Sequence, residues 1–183
     1  IYRGIGIATF IEMTNPGAAS YGVGGAPITA QDGATVRLDA NGNTTVAIGV
    51  TEQGQGSETI VAQCVASALG ITLDSVKVIT GDTDVTPYGG GTWGSRGAGI
   101  AGEAAVQAGK ALRENILEVA AIMLQTDADS LDIRENKVVN QSDGEVRMPL
   151  SEIGRICYFR PDTLPPDFQE ELVATRHYVT SQY

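Results

Sequence analysis

The sequence predicts an α+β layered domain, with a mixed sheet and two main helices. Three observations carry this expectation. Runs with period-two alternation, such as Val46, Ile48 and Val50, read as half-buried strands. Two longer segments repeat apolar residues at helical spacing. The strand-like and helix-like segments follow one another without the regular βα alternation of a doubly wound fold.

In chain order, "GIGIATFIE" (4–12) reads as a strand whose glycines suggest close backbone approach. "NPGAASYGVGGAP" is a loop. "ATVRLD" and "TTVAIGV" are strands flanking "ANGN", where Asn41-Gly42 is a two-residue hairpin signal. In "TEQGQGSETIVAQCVASALGI", Ser57 is the expected N-cap, Glu58 suits the first turn, and Gly70 suits the stop. Ile60, Val61, Cys64, Val65, Ala68 and Leu69 mark its apolar face. "SVKVITGD" (75–82) is a further strand, followed by the mostly irregular "DTDVTPYGGGTWGSRG" (82–97). A long helix is expected from about Gly99 to Leu124, with Ala101, Ala104, Ala105, Ala108, Leu112, Ile116, Val119 and Met123 inside. Its alanines allow close packing against another backbone. "SLDIREN-KVVN" reads as a small hairpin and "LSEIGRICYF" as a short helix. Pro165-Pro166 keeps "PDTLPPD" non-helical, and "ELVATRHYVTSQY" reads as a last strand.

A length of 183 residues suits one domain or two small lobes, and 42% hydrophobic residues can fill a core. The net charge of -10 argues against nucleic acid and anionic membranes as partners. It leaves small anions open, because backbone N–H groups bind phosphate without Lys or Arg. Cys64 and Cys157 lie far apart with no Cys/His cluster, so no zinc site is expected. No apolar run approaches the ~18 residues that cross a bilayer, and no signal peptide is visible, so a cytoplasmic location is expected. The opening "IYRGIGIATFIE" lacks an initiator Met and suggests a piece of a longer polypeptide.

Gly97, Gly99 and Gly102 form a literal G-x-G-x-x-G. A dinucleotide fingerprint would leave a strand directly and meet an acid on a second strand ~20 residues later. Here the preceding strand ends near Thr80, and the chain near Ile122 is still helical, so that reading fails. The glycines have another use. "EQGQGS" and "YGGGTWGSRGAG" precede the two main helices. First-turn N–H groups are unpaired and sit at the positive end of the helix dipole, and glycine lets a ligand approach them. Aimed at one cavity, with Gln53, Gln55, Thr92, Ser95 and Arg96 as donors, two such ends would hold a polyanionic cofactor. The alternatives are a non-catalytic structural or assembly module with glycine turns, and a standalone enzyme acting on a phosphate ligand.

Other features carry less. Asp82 and Asp84 lack EF-hand spacing and read as turn acids. No G-x-S-x-G elbow exists, and His177 reads as a surface residue on a strand. Trp93 shields the cofactor or shapes a substrate funnel, or else packs locally over glycine.

The ordered motifs G-Q-G, G-D-T-D, P-Y-G and G-S-R over about residues 44–112 resemble the molybdenum hydroxylase family. These are the molybdopterin-binding large subunits of xanthine dehydrogenase, aldehyde oxidase and carbon monoxide dehydrogenase. The last group is the most similar in flavour. The rest of the chain fits more loosely. The resemblance implies part of the molybdopterin-binding domain of a larger subunit, spanning residues 1–183. It implies an oxidoreductase that hydroxylates aldehydes or N-heterocycles with oxygen from water, or oxidises CO. It further implies a molybdenum cofactor, commonly as the cytosine dinucleotide, with iron–sulfur clusters and FAD on partner domains or subunits, and a small organic substrate. By motif, Gly54, Gln55 and Gly56 form one cofactor loop. Gly94, Ser95, Arg96 and Gly97 form the other, with Thr92 a weaker candidate from the same loop. The family's catalytic glutamate belongs to a Gly-Glu motif nearer the C-terminus of the full subunit. Glu103, in "GEAA", resembles it superficially and reads better as a solvated first-turn acid. No catalytic residue and no metal ligand is therefore assigned, and the active site is expected to be incomplete.

Overall fold

The computed structural model describes residues 2–168 and 171–180. The chain runs β1 (Gln31–Leu38), β2 (Thr44–Ile48), α1 (Ser57–Leu69), β3 (Val76–Ile79), α2 (Gly102–Leu124), β4 (Leu131–Arg134), β5 (Lys137–Asn140), β6 (Val146–Pro149), α3 (Leu150–Phe159) and β7 (Val173–Val179). The expected layered α+β class stands. One sheet has the order β3-β2-β1-β7 and a second has β4-β5-β6. β1 pairs antiparallel with both β2 and β7, while β2 and β3 are parallel, joined through α1. The first sheet is thus mixed.

The core follows from the alternation. Val36 and Leu38 of β1 and Val46 and Ile48 of β2 join Val61, Val65 and Leu69 of α1 and Ala104, Ala108, Leu112 and Ile116 of α2 in one buried cluster. Each fully buried Val, Leu or Ile contributes roughly 1.5–3 kcal/mol over leaving it in water. Small residues let α1 and α2 approach closely. A Cβ added at Gly109 would lie 2.9 Å from the Ala68 side chain. Gly70 ends α1 in the left-handed region at φ +81, donating to Ala66 O, as the sequence indicates. It also backs onto the Ile133 carbonyl, which an added Cβ would strike at 2.0 Å.

Several expectations change. Residues 4–12 form no strand; Ile5, Ile7, Phe10 and Ile11 are each at least 81% exposed, and apolar alternation without a pairing partner does not make a strand. The hairpin loop is longer than two residues. Ala40 and Asn41 are the central turn residues, Gly42 N donates to Asp39 O, and Gly42 alone is left-handed at φ +84. Ser57 is the first helical residue, not the N-cap; Gly56 holds that place. The long helix starts earlier, as a π-helical turn at Gly97–Ala101 that runs into α2. β6 escaped notice because it is short and closes on Pro149. The last strand spans Val173–Val179, and residues 181–183 lie outside the described residues.

Because Gly109 is the point of closest helix approach, Gly109→Val should lower the chain's unfolding free energy by about 1–3 kcal/mol through overpacking. Exposed Lys110→Ala on the same helix should change it by less than about 0.5 kcal/mol. Urea unfolding followed by circular dichroism measures both, and equal effects would refute the packing account.

Candidate functional site

The two glycine-rich loops are neighbours because side chains tie them. Thr92 Oγ1 accepts from Thr51 N and donates to Thr51 O, both at 2.7 Å. Gln53 Nε2 reaches Thr92 O at 3.4 Å. Between the loops lies an open cavity of about 470 Å³. Of the residues expected at the site, Gln53, Gln55, Thr92, Gly94, Ser95, Arg96 and Gly97 line it. Gly54 and Gly56 do not.

In the first loop, Gly54 and Gly56 take left-handed conformations at φ +96 and +86. Their amides turn to Glu52: Oε1 accepts from Gly54 N at 2.8 Å and Gly56 N at 2.9 Å, and Oε2 from Glu58 N at 3.2 Å. The start of α1 is therefore held by the chain's own carboxylate. These backbone donors, Gly56 first and then Glu58, hold the Glu52 carboxyl below its usual range. The Gln55 amide braces the turn, accepting from Gln53 N at 2.6 Å and donating to Thr51 O at 3.1 Å and Ser57 Oγ at 2.7 Å. Two helix starts facing one cavity with free amides was the expectation; only the second start, at Gly97 and Ala98, brings its first turn to the cavity wall without such a cap.

The second loop carries strain where it meets the cavity. Gly94 has φ +57 and Ser95, a non-glycine, φ +47. Ser95 Oγ donates to Glu12 Oε1 at 2.5 Å, and Glu12 also lines the cavity. Trp93 lines it too, and on its other side borders a smaller cavity of about 260 Å³ with Pro27, Ile28 and Thr29. Its indole N–H donates to Gly90 O at 2.8 Å, which ties the ring to its own loop at the cavity edge.

Arg96 borders the cavity but is wholly buried. Its side chain has no exposed surface and forms an ion pair with equally buried Asp32, Nη2 to Oδ2 at 2.9 Å. It also donates to Gln31 O at 2.7 Å and Gly91 O at 3.0 Å. Burial pushes the Asp32 carboxyl up to about 6, against the opposing pull of Arg96, and burial likewise lowers Arg96.

Glu103 is not a cavity residue; it accepts from Gln107 Nε2 at 3.1 Å along α2. Asp82 shapes a turn by accepting from Asp84 N at 3.0 Å. Among the described residues no group of His, Cys, Asp or Glu could hold a metal. His177 lies exposed on β7 opposite Gly33. Cys64 and Cys157 form no disulfide, and burial, then the Glu103 charge, raises Cys64. No helix is long and apolar enough to cross a membrane among the described residues.

Comparison with known proteins decides the family. The model of the family described as "Molybdopterin cofactor-binding domain" matches residues 1–183. The chain belongs to the molybdopterin cofactor-binding domain family. It is 32% identical over 181 residues to the nicotine 6-hydroxylase large subunit of Paenarthrobacter nicotinovorans, covering 99% of this chain and 22% of that one. It is 31% identical over 179 residues to the carbon monoxide dehydrogenase large chain of Hydrogenophaga pseudoflava, covering 96% and 21%. Its fold is similar to quinoline 2-oxidoreductase from Pseudomonas putida 86, with a TM-score of 0.76, 34% identity and coverage of 93% and 22%. The chain spans about a fifth of the length of the curated relatives it matches. The resemblance drawn from the motifs and the molybdopterin-binding class of the domain are thus both supported independently.

Sequence reasoning missed three acids in this molybdopterin-binding domain: Glu12, Asp32 and Glu52. Asp32 had a signal. It is in the same alternation as Ala34, Val36 and Leu38, all fully buried, so an acid there demanded a buried cation.

Because the Glu52 carboxyl is depressed in the folded chain, its stabilisation is present above its unfolded value near 4.5 and is lost as pH falls through the lower folded value. Glu52→Ala should therefore be less stable than wild type at pH 7, with the deficit shrinking below pH ~4. Urea midpoints across this range measure it; a deficit independent of pH would remove the capping role.

Proposed function

We propose that this chain supplies two loops of the molybdopterin site in the large subunit of a molybdenum hydroxylase, and that residues 1–183 are one part of that subunit's molybdopterin-binding domain. The observation that carries this reading is the single cavity bordered by Gln55 of one glycine loop and Ser95 of the other. The donor chemistry fits the group. A hydroxyl, a carboxamide and first-turn amides offer neutral, directional hydrogen bonds to a pterin edge and phosphate oxygens. The bound cofactor supplies the two-electron redox chemistry of the reaction.

The chain's own residues bind and orient. Ser95 presents its hydroxyl, and for an anion to take that donor Glu12 gives up its hydrogen bond. Gln55 holds the first loop in shape and presents its edge to the cavity. Gly94 and Gly97 keep the wall free of side chains, and Thr92 keeps the loops together. Gly54 and Gly56 act at one remove, forming the turn that Glu52 caps. The reaction is hydroxylation of an aldehyde or N-heterocycle with oxygen from water, or oxidation of CO. The pterin carries a cytosine nucleotide, electrons leave through iron–sulfur clusters to FAD on partner domains or subunits, and the assembly is cytoplasmic. The motif resemblance supports the reaction, the nucleotide form and the electron route, and the location rests on the sequence expectation alone. The general base is contributed from outside these residues, since Glu103 is turned along α2.

In the full-length protein, Ser95→Ala should lower cofactor retention about tenfold or more, the loss of one hydrogen bond to a charged group, and Gln55→Ala should lower it by releasing the first loop. Molybdenum content and the visible spectrum after gel filtration measure it, and unchanged values for both variants favour a purely structural module. The isolated 183-residue chain should show no hydroxylase turnover. Turnover there would contradict an external base.

A further inference from the structure

We propose that Asp32 and Arg96, seated in a socket made by Gly49, Gly89 and Gly90, are positioning residues that set the cofactor loop Thr92–Gly97 from beneath. This rests on the reading of that loop as a cofactor contact.

The charge of Arg96 is not offered to a ligand. Its side chain is wholly buried: Nη2 donates to Gln31 O, Nη1 donates to Gly91 O, its charge pairs with Asp32, and Nε has no hydrogen-bond partner among the described residues. Its guanidinium carbon lies 5.7 Å from the Trp93 ring centroid. One side chain thus connects the start of β1 to the loop's approach at Gly91 and to the aromatic wall at Trp93. The socket is shaped for the pair. A Cβ at Gly89 would lie 1.9 Å from Asp32 Oδ1, and one at Gly49 3.1 Å from the same atom. A Cβ at Gly90 would lie 2.1 Å from Arg96 Nη1. Part of the glycine run in "PYGGGTWG" therefore admits the ion pair and not a ligand.

A buried pair is a poor source of stability compared with apolar residues of similar volume. Directed contacts are what apolar residues cannot replace. Those contacts fix the residue immediately after Ser95, which is held at φ +47 with its hydroxyl at the cavity. Releasing Arg96 frees the loop to relax out of the left-handed region and to move that hydroxyl.

The test uses the full-length protein and two readouts, molybdenum content and hydrogen exchange of the 90–99 segment. The variants are Arg96→Lys, which keeps the charge but not the fork of contacts, and the double variant Asp32→Leu with Arg96→Met, which replaces the pair by apolar volume. The double variant is expected to melt cooperatively near wild type, to lose at least tenfold in molybdenum content, and to exchange faster at 90–99 alone. Arg96→Lys is expected to fall between it and wild type in both readouts. Wild-type molybdenum content in either variant overturns the proposal. So does a double variant that fails to fold, because the pair would then be needed for the core as a whole. Failure of the underlying reading looks different: wild type itself would hold no molybdenum, or Ser95→Ala and Gln55→Ala would hold as much as wild type.

Discussion

The close approach of α1 and α2 is the constraint from which the site follows. Helices at ordinary separation would leave room for large side chains between them. Here Gly109 faces Ala68, and Gly102 faces Cys64, whose sulfur would lie 3.4 Å from an added Cβ. With the second half of α1 this close to the first two turns of α2, the segments that lead into the helices are also close. Gly97 comes within reach of Ser57, whose hydroxyl would be 3.8 Å from an added Cβ. The cavity between the two glycine loops is the space left where the loops diverge. The Thr51–Thr92 pair of hydrogen bonds sets how wide that space can open.

Glycine serves at least four physical ends in one chain, and composition alone cannot separate them. Gly70 supplies a left-handed helix stop. Gly109 supplies a helix contact, and Gly89 and Gly90 make room for buried side chains. Gly54 and Gly56 take left-handed turns whose amides feed a carboxylate. Gly94 and Gly97 line the cavity itself. A glycine count therefore overstates the ligand-facing backbone, and the G-x-G-x-x-G at Gly97, Gly99 and Gly102 illustrates why. Gly99 is small because Asn15 packs on it, with the amide 2.2 Å from an added Cβ.

What was legible in the sequence was whatever depends on local period and turn chemistry. α1, α3 and the β4–β5 hairpin came out close to their observed limits, since each is bounded by residues with strong local preferences. The apolar 4–12 segment misled because alternation records a capacity for pairing, and pairing needs a partner strand elsewhere. At the site, the cavity-lining residues of the second loop were found from motif and donor chemistry. The destination of the Arg96 side chain was not, because it depends on Asp32, far off in sequence. The same holds for Glu12 at Ser95. Long-range polar partners are invisible to period arguments unless an acid breaks an apolar face, as Asp32 does on β1.

An acidic domain of a molybdopterin-binding family that takes up an anionic cofactor as proposed has to solve an electrostatic problem. Residues 82–102 contain one cation, Arg96, and Asp32 offsets its charge. Glu52 adds negative charge at the α1 start, and Glu12 adds more at the cavity. Net charge therefore opposes binding. On the proposed reading, the favourable contribution comes from oriented groups at the cavity: the first-turn amides at Gly97 and Ala98, the Ser95 hydroxyl, and the dipole of a helix 23 residues long. Fixed dipoles cost no reorganisation when a ligand arrives, whereas mobile surface cations would be screened by salt. They discriminate by direction, so a ligand must match their geometry, and a freely diffusing anion gains little. That places the burden on rigidity of the 92–97 loop. A buried ion pair beneath the loop, itself of little use as a source of affinity, meets that requirement.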